Sequence, residues 1–303
     1  MTLKGLGYRT AHALCQALPL GTSMWCAERL GDLQWRRARP GRQAVSANLS
    51  ILMGSTVAET SPLVRGVFRN FSRYIAEFFT VHRVAHVQPA LEGYEHFLQA
   101  RRAGRGVITL TAHLGNWELG AVFIRRMGFP VSGVALPHDD PQMDRLFNAQ
   151  RQRCGVGVIP VGREAVRTSL QRLRRGEILG MLGDWEFFDN GEAVSLSGHL
   201  ASLPRGPAVL SLRSRAPIVP TFLTRDGWWK FRLSFEPPLW PGSGGRTGKA
   251  VTQMVQAYAQ TLERYLRRFS DQWLMFQPMM GVESPRSQIR RSPSRREERV
   301  PCQ

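Results

Sequence analysis

The chain has 303 residues, 43% of them hydrophobic and 21% charged, which is enough for a large buried core. Lys+Arg total 41 against 23 Asp+Glu, so the net charge of +18 calls for an anionic partner: nucleic acid, an anionic membrane leaflet or an acidic carrier protein. Cys15, Cys26, Cys154 and Cys302 are scattered without a C-x-x-C pair, which favours neither a zinc site nor a disulfide framework and points to a reducing cytoplasm.

At the N-terminus the most apolar stretch, 6–27, is interrupted by Arg9, His12, Gln16 and Pro19. Neither a cleaved leader nor a spanning helix is expected there, since a span needs about 20 mostly apolar residues. Residues 1–60 read as helical, with Ala11, Leu14 and Leu18, then Cys26, Leu30 and Leu33, at helical spacing. Pro19, Gly21 and Pro40-Gly41 cut that run into pieces. A second helical run over 64–81 places Val67, Phe68, Phe71, Tyr74, Ile75 and Phe78 on one face. The stripe reads as core, with Phe78 and Phe79 as the residues that could instead touch lipid.

From Leu91 short apolar strands alternate with helices. Strands are predicted at 107–112, 131–136, 156–161, 178–182 and 218–223, and helices at 117–126 and 141–153. Residues 228–235 read as an edge strand, and 250–269 as a final amphipathic helix. This rhythm predicts an α/β fold, a sheet flanked by helices behind an N-terminal helical region. The expected division is 1–85 for a helical, membrane-associating region, 86–282 for the α/β unit and 283–303 for a disordered basic tail. The tail holds six arginines against three glutamates, which leaves +15 on the rest of the chain.

Residues 111–118, T-A-H-L-G-N-W-E, carry the most chemistry. His113 falls where a buried strand ends, the place where α/β sheets bind ligands, and Gly115 and a capping Asn116 open the next helix. Across that bend Glu118 is expected to fold back onto the imidazole, fixing its tautomer and leaving the other ring nitrogen to take a hydroxyl proton. A lone histidine satisfied by a helix N-terminus is the plainer alternative.

The segment matches the H-x-x-x-x-[DE] signature of glycerolipid acyltransferases. Its wider wording resembles the lipid A biosynthesis (lauroyl/myristoyl) acyltransferase family, in the lysophospholipid acyltransferase-like superfamily. Further matches are Arg42 with Asn48-Leu49, the G-R-G-V of 104–107, Asp140-Pro141 with Arg151 and Gly155, and Gly183-Asp184. L-P-R-G-P-A at 203–208, which contains Arg205, R-A-P-I-V-P at 215–220 and Gln272-Trp273 complete the series. The likeness runs from about residue 20 to residue 276. Three places depart from members acting on lipid A: Ala135-Leu136-Pro137, Leu196-Ser197-Gly198, and Gln277-Pro278 after the last tryptophan.

The resemblance implies a glycerolipid-acyltransferase-like fold with His113 and Glu118 as catalytic residues. It implies Asn116, Arg151, Asp184 and Arg205 as substrate-binding residues, Arg151 either binding an anionic substrate group or locking the site, with no metal and no cofactor. The donor would be an acyl thioester on acyl carrier protein or coenzyme A, and the acceptor a hydroxyl of a membrane glycolipid such as a lipid A precursor. A phosphatidylinositol mannoside-like envelope lipid is the alternative acceptor. The place would be the cytoplasmic face of the cell inner membrane, peripheral or monotopic. For the developing oxyanion, backbone amides near Gly115 and a nearby arginine are the candidate donors. A non-catalytic basic module for membrane or nucleic acid would explain the charge but not the 111–118 segment, and no nucleic-acid motif is present. A serine hydrolase would need a G-x-S-x-G elbow, which the sequence lacks.

Overall fold

The computed structural model describes residues 3–84, 87–188, 190–242 and 248–279; the expected tail, 283–303, lies outside them. Four helices come first: α1 (Leu3–Ala17), α2 (Leu20–Arg37), α3 (Arg39–Met53) and α4 (Pro62–Phe79). Pro19 stands at the start of α2, where its missing N–H costs no helical hydrogen bond. Ser61 caps α4 by accepting from the Val64 amide. Phe78 and Phe79 are fully buried, with ring centroids 5.4 and 5.8 Å from that of Phe147. Burying such a ring contributes roughly 1.5–3 kcal/mol. They belong to the core, not to a lipid-facing surface.

The α/β unit follows. It runs β1 (Ala90–Glu92), α5 (Tyr94–Arg102), β2 (Val107–Thr111), α6 (Trp117–Arg126), β3 (Val131–Ala135), α7 (Pro141–Arg153), β4 (Gly157–Pro160), α8 (Ala165–Arg174) and β5 (Ile178–Leu182). Next come β6 (Glu192–Leu196), β7 (His199–Leu203), α9 (Gly206–Ser214), β8 (Ile218–Gly227), β9 (Lys230–Phe235) and α10 (Gly248–Arg268), then a short turn at Ser270–Gln272. Seven strands form one sheet in the order β1-β9-β8-β2-β5-β3-β4. All neighbours are parallel except β8 and β9. One face carries a core shared by the N-terminal helices, α7–α10 and the sheet; α5 and α6 cover the other. The helical region is therefore packed into the α/β unit through a common core.

Two expectations change. The strand at 228–235 is not at the edge, because the short β1 pairs outside β9. Between β5 and α9 lies an antiparallel hairpin, β6–β7, which forms its own two-stranded sheet. Its turn is Ser197-Gly198, with φ of 54° and 78°. Two positive φ values in a two-residue turn suit the right-handed twist of the flanking strands. The departure at Leu196-Ser197-Gly198 falls on this hairpin turn.

Candidate active site

The site begins with a pairing of two central strands. β2 and β5 run parallel with Thr111 opposite Leu182, so the residues two steps further, His113 and Asp184, leave the sheet side by side. Gly183 makes this possible, since a Cβ there would come within 2.6 Å of the Tyr258 ring. Tyr258 on α10 donates its hydroxyl to the Thr111 carbonyl at 2.7 Å and fixes the end of β2.

Asp184 is wholly buried. Its Oδ1 accepts from the His113 Nδ1–H at 2.9 Å, and its Oδ2 accepts from the His113 backbone amide at 2.9 Å and from the Trp273 indole at 3.2 Å. This arrangement selects the Nδ1–H tautomer and leaves Nε2 with a free lone pair, on a side chain 22% exposed. Burial alone would lower the His113 pKa. The charge and hydrogen bond of Asp184, with the Glu118 charge behind them, outweigh it and raise the pKa above its ordinary value. Asp184 moves the other way: burial pushes it up, but the His113 contacts and the Trp273 hydrogen bond hold it below the usual carboxylate range.

The carboxylate on the imidazole is therefore Asp184, and the expectation for Glu118 is corrected. Glu118 is buried on α6 and accepts from Arg151, through Nε at 3.1 and 3.0 Å and through Nη2 at 2.5 Å. The five-residue spacing from His113 cannot place them together, because α6 turns the Glu118 side chain towards α7. Arg151 also donates from Nη1 to Asn148 Oδ1 at 2.8 Å. Every guanidinium nitrogen already has a partner, so the expected binding of an anionic substrate group finds no ready fork. Beside this pair the Tyr74 ring stacks on Trp117 at 4.3 Å, and Trp117 meets the His113 ring edge-on at 5.0 Å.

Asn116, expected at the substrate, is fully buried. Its Oδ1 caps α6 by accepting from the Leu119 amide at 3.0 Å, and its Nδ2 donates to Glu77 at 2.7 Å. Arg205 is exposed at the N-cap of α9, and among the described residues no hydrogen bond or ion pair ties its side chain to the others. The backbone amides expected to hold an oxyanion are spent: Gly115 N–H donates to the Gln272 carbonyl at 2.9 Å and Asn116 N–H to the Leu223 carbonyl at 3.0 Å. Gly115 itself sits at φ +64°, and a Cβ there would lie 1.9 Å from the Leu223 carbonyl oxygen. Any other residue would push the turn off β8.

Sequence reasoning did not assign roles to Glu77, Arg225, Gln272 and Trp273, which surround this turn. Arg225 donates to both Glu77 oxygens at 2.6 and 2.7 Å, and the pair is almost wholly buried. The signal was one acid inside the apolar stripe of α4, facing one arginine inside the apolar β8.

Chemically, an imidazole with one nitrogen oriented by a buried carboxylate and the other free has what a general base for a hydroxyl requires. Among the described residues no three His, Cys, Asp or Glu side chains converge to hold a metal ion.

The profile of bacterial lipid A biosynthesis acyltransferases matches residues 8–280. A phosphatidylinositol mannoside acyltransferase of Mycolicibacterium smegmatis is 25% identical over 286 residues, covering 90% of this chain and 88% of that protein. A protein of the same description from Mycobacterium tuberculosis is 24% identical over 264 residues, 82% of this chain and 81% of the other. A lipid A biosynthesis acyltransferase of Haemophilus influenzae is 28% identical over 141 residues, 45% of this chain and 44% of the other.

Proposed function

The chain belongs to the bacterial lipid A biosynthesis acyltransferase family, and from that premise we propose that it moves a fatty acyl group from a thioester to a glycolipid hydroxyl, with His113 as base. The observation that carries the reading is the contact of His113 Nδ1 with a fully buried Asp184, which leaves Nε2 free. Nε2 takes the acceptor's hydroxyl proton as its oxygen attacks the thioester carbonyl. A C–O bond forms, the C–S bond breaks, and the proton passes from Nε2 to the departing thiolate. Asp184 stabilises the imidazolium between these two transfers. Because the thioester is already activated, an oriented base suffices. The donor is acyl carrier protein or acyl-coenzyme A, both anionic, and both suit a chain of net charge +18.

The acceptor is an amphipathic envelope glycolipid. The relatives described as phosphatidylinositol mannoside acyltransferases align along most of the chain, whereas the lipid A relative aligns along less than half. That difference, with the three local departures from lipid A members, favours a mannosylated inositol lipid over a lipid A precursor.

The protein works from the cytoplasmic face of the inner membrane as a peripheral protein. No helix among the described residues is long and apolar enough to cross a membrane. The outer faces of α1 and α2 expose Leu6, Leu14, Trp25, Leu30 and Leu33 beside Arg9, Arg29, Arg36 and Arg37. The two carboxylates of α2, Glu28 and Asp32, are both turned inward. Apolar side chains among arginines, with no exposed acid on these two helices, suit an anionic bilayer surface.

The test supplies purified protein with acyl carrier protein and coenzyme A thioesters and with either glycolipid in anionic vesicles, and follows the products by mass spectrometry. Transfer that disappears in His113→Ala while the variant stays folded is the expected result. Turnover near wild type in His113→Ala, or hydrolysis with no acylated lipid, would overturn the reading.

A further inference from the structure

We propose that the buried Glu77–Arg225 ion pair is a positioning pair for the reaction, holding the 113–116 turn so that His113 stays seated on Asp184. The inference rests on the reading of His113 as base. Three segments distant in sequence meet here: the end of α4 (Glu77), the end of β8 (Arg225) and the turn after α10 (Gln272 and Trp273).

Their contacts form a closed circuit around the turn. Arg225 donates to both Glu77 oxygens, and Glu77 accepts from Asn116 Nδ2 at 2.7 Å. The backbone of Arg225 is gripped on both sides by one side chain: its N–H donates to Gln272 Oε1 at 2.9 Å, and its carbonyl accepts from Gln272 Nε2 at 2.9 Å. Gln272 in turn offers its own carbonyl to Gly115 N–H, and Leu274 N–H donates to the His113 carbonyl at 2.7 Å. Between them, the Trp273 indole reaches Asp184. From Glu77, then, one path reaches His113 through Asn116 and Gly115, and the other reaches Asp184 through Arg225, Gln272 and Trp273.

Stability alone is a poor reason for such a pair, because well-packed apolar residues of similar size often serve a core as well as a buried ion pair does. What a buried pair adds is direction. Each guanidinium and carboxylate must meet its partner in one geometry, and here the partners are the turn that carries His113 and the strand end beside it. Arg225 lies at the irregularity in the β8–β9 pairing between Arg225 and Gly227. A regular ladder gives way there, and a bulge re-aims a side chain.

The charged and titratable groups around His113 are Asp184 after β5, Glu118 on α6 with Arg151 of α7 on it, and Tyr258 on α10, whose hydroxyl sits on Thr111. None of these touches Glu77, so removing the pair changes the seat of His113 without changing its neighbours.

Two variants are compared with wild type and with His113→Ala. Glu77→Gln removes the charge and leaves one carbonyl for the arginine. Asn116→Ser keeps an oxygen that can cap α6 but is too short to reach Glu77. The ion pair survives and the Asn116–Glu77 tether is lost, while Arg225 Nη2 still reaches the Gly115 carbonyl at 3.5 Å. Misplacing a catalytic group by about 1 Å costs on the order of 100-fold. Both variants are expected to lower kcat by roughly 10- to 100-fold at unchanged KM for the donor. The acid limb of the kcat/KM profile should move to lower pH, since a looser Asp184 contact makes His113 easier to deprotonate.

A purely structural role would lower Tm and the active fraction equally at every pH, with no movement of the limb. If Glu77→Gln does not fold, Asn116→Ser decides alone. A folded Asn116→Ser with wild-type kcat and pH limb overturns the proposal while His113→Ala remains inactive. An active His113→Ala would instead strike the reading on which it rests.

Discussion

Two groups of ion pairs, one in the N-terminal helices and one around His113, use the same residue types under different constraints. In the helices Asp32 accepts from Arg65 at 2.7 and 2.8 Å and from Arg69 at 2.6 and 2.9 Å, while Arg73 donates to Glu28 at 3.0 and 2.5 Å. The carboxylates face inward, but the arginine side chains are 35%, 29% and 26% exposed, so each can swing into water if its partner is lost. Around the site, Asp184, Glu118, Arg151, Glu77 and Arg225 are at most 13% exposed, and no charge there has such an exit. Exposed pairs are worth little each, whereas stranding one member of a buried pair is expensive. The helical cluster should therefore tolerate change, and the site cluster should not.

The comparison breaks first at Asp184. Asp184→Asn keeps the shape but removes the largest influence that raises the His113 pKa, leaving burial, which lowers it, against only the weaker pull of the Glu118 charge. The base must be neutral to act, so wild-type kcat/KM should rise with pH through a value above 6.5. In Asp184→Asn the limb should move to lower pH and the plateau should fall by about 10²- to 10⁴-fold. A rate profile that keeps both plateau and limb would mean that Asp184 does not act on His113.

A step smaller is Arg151→Lys, which separates a structural arginine from a substrate-binding one. Lysine keeps the charge but not the fork that spans Glu118. Breaking a buried pair costs about 3–5 kcal/mol, and Arg151→Lys, which keeps a charge, should lose only part of that. The expectation is a Tm lowered by several degrees with KM unchanged for donor and acceptor. A raised KM at unchanged Tm would show that Arg151 meets substrate after all.

What was legible in the sequence follows from range. The α/β alternation, the helical N-terminus and the position of His113 at a strand end are local patterns, and they stand in the fold. Asn116 was legible as a helix cap for the same reason, but its second partner, Glu77, lies 39 residues away. The partner of His113 was not legible. Glu118 is close in sequence and Asp184 is 71 residues distant, and only the parallel register of β2 and β5 places Asp184 beside the imidazole. Glu77 and Arg225 are 148 residues apart. Each is a lone charge in an apolar run, which becomes a signal only when both runs are known to face each other. The β6–β7 hairpin was within reach, because Ser-Gly between two alternating runs is a turn signal.

Asp32→Asn is the mildest test and the one that sharpens the other half of the comparison. Hydrogen bonds from Arg65 and Arg69, in that order, hold the Asp32 carboxyl well below the usual carboxylate range. A depressed carboxylate contributes stability that is present above its unfolded pKa of 3.8 and is lost as pH falls through its folded value. Wild type should therefore exceed Asp32→Asn in Tm across neutral pH, and the gap should close only in strong acid. The gap itself should be small, on the order of 3 °C, because the arginines around Asp32 can turn outward to water. Activity on saturating substrate should stay within about twofold of wild type, since an ion-pair cluster whose arginines reach water and which lies away from the chemistry changes little. A variant that unfolds at neutral pH, or one that stays folded but loses turnover, would show that the helical cluster is tied to the site as tightly as Glu77 and Arg225 are.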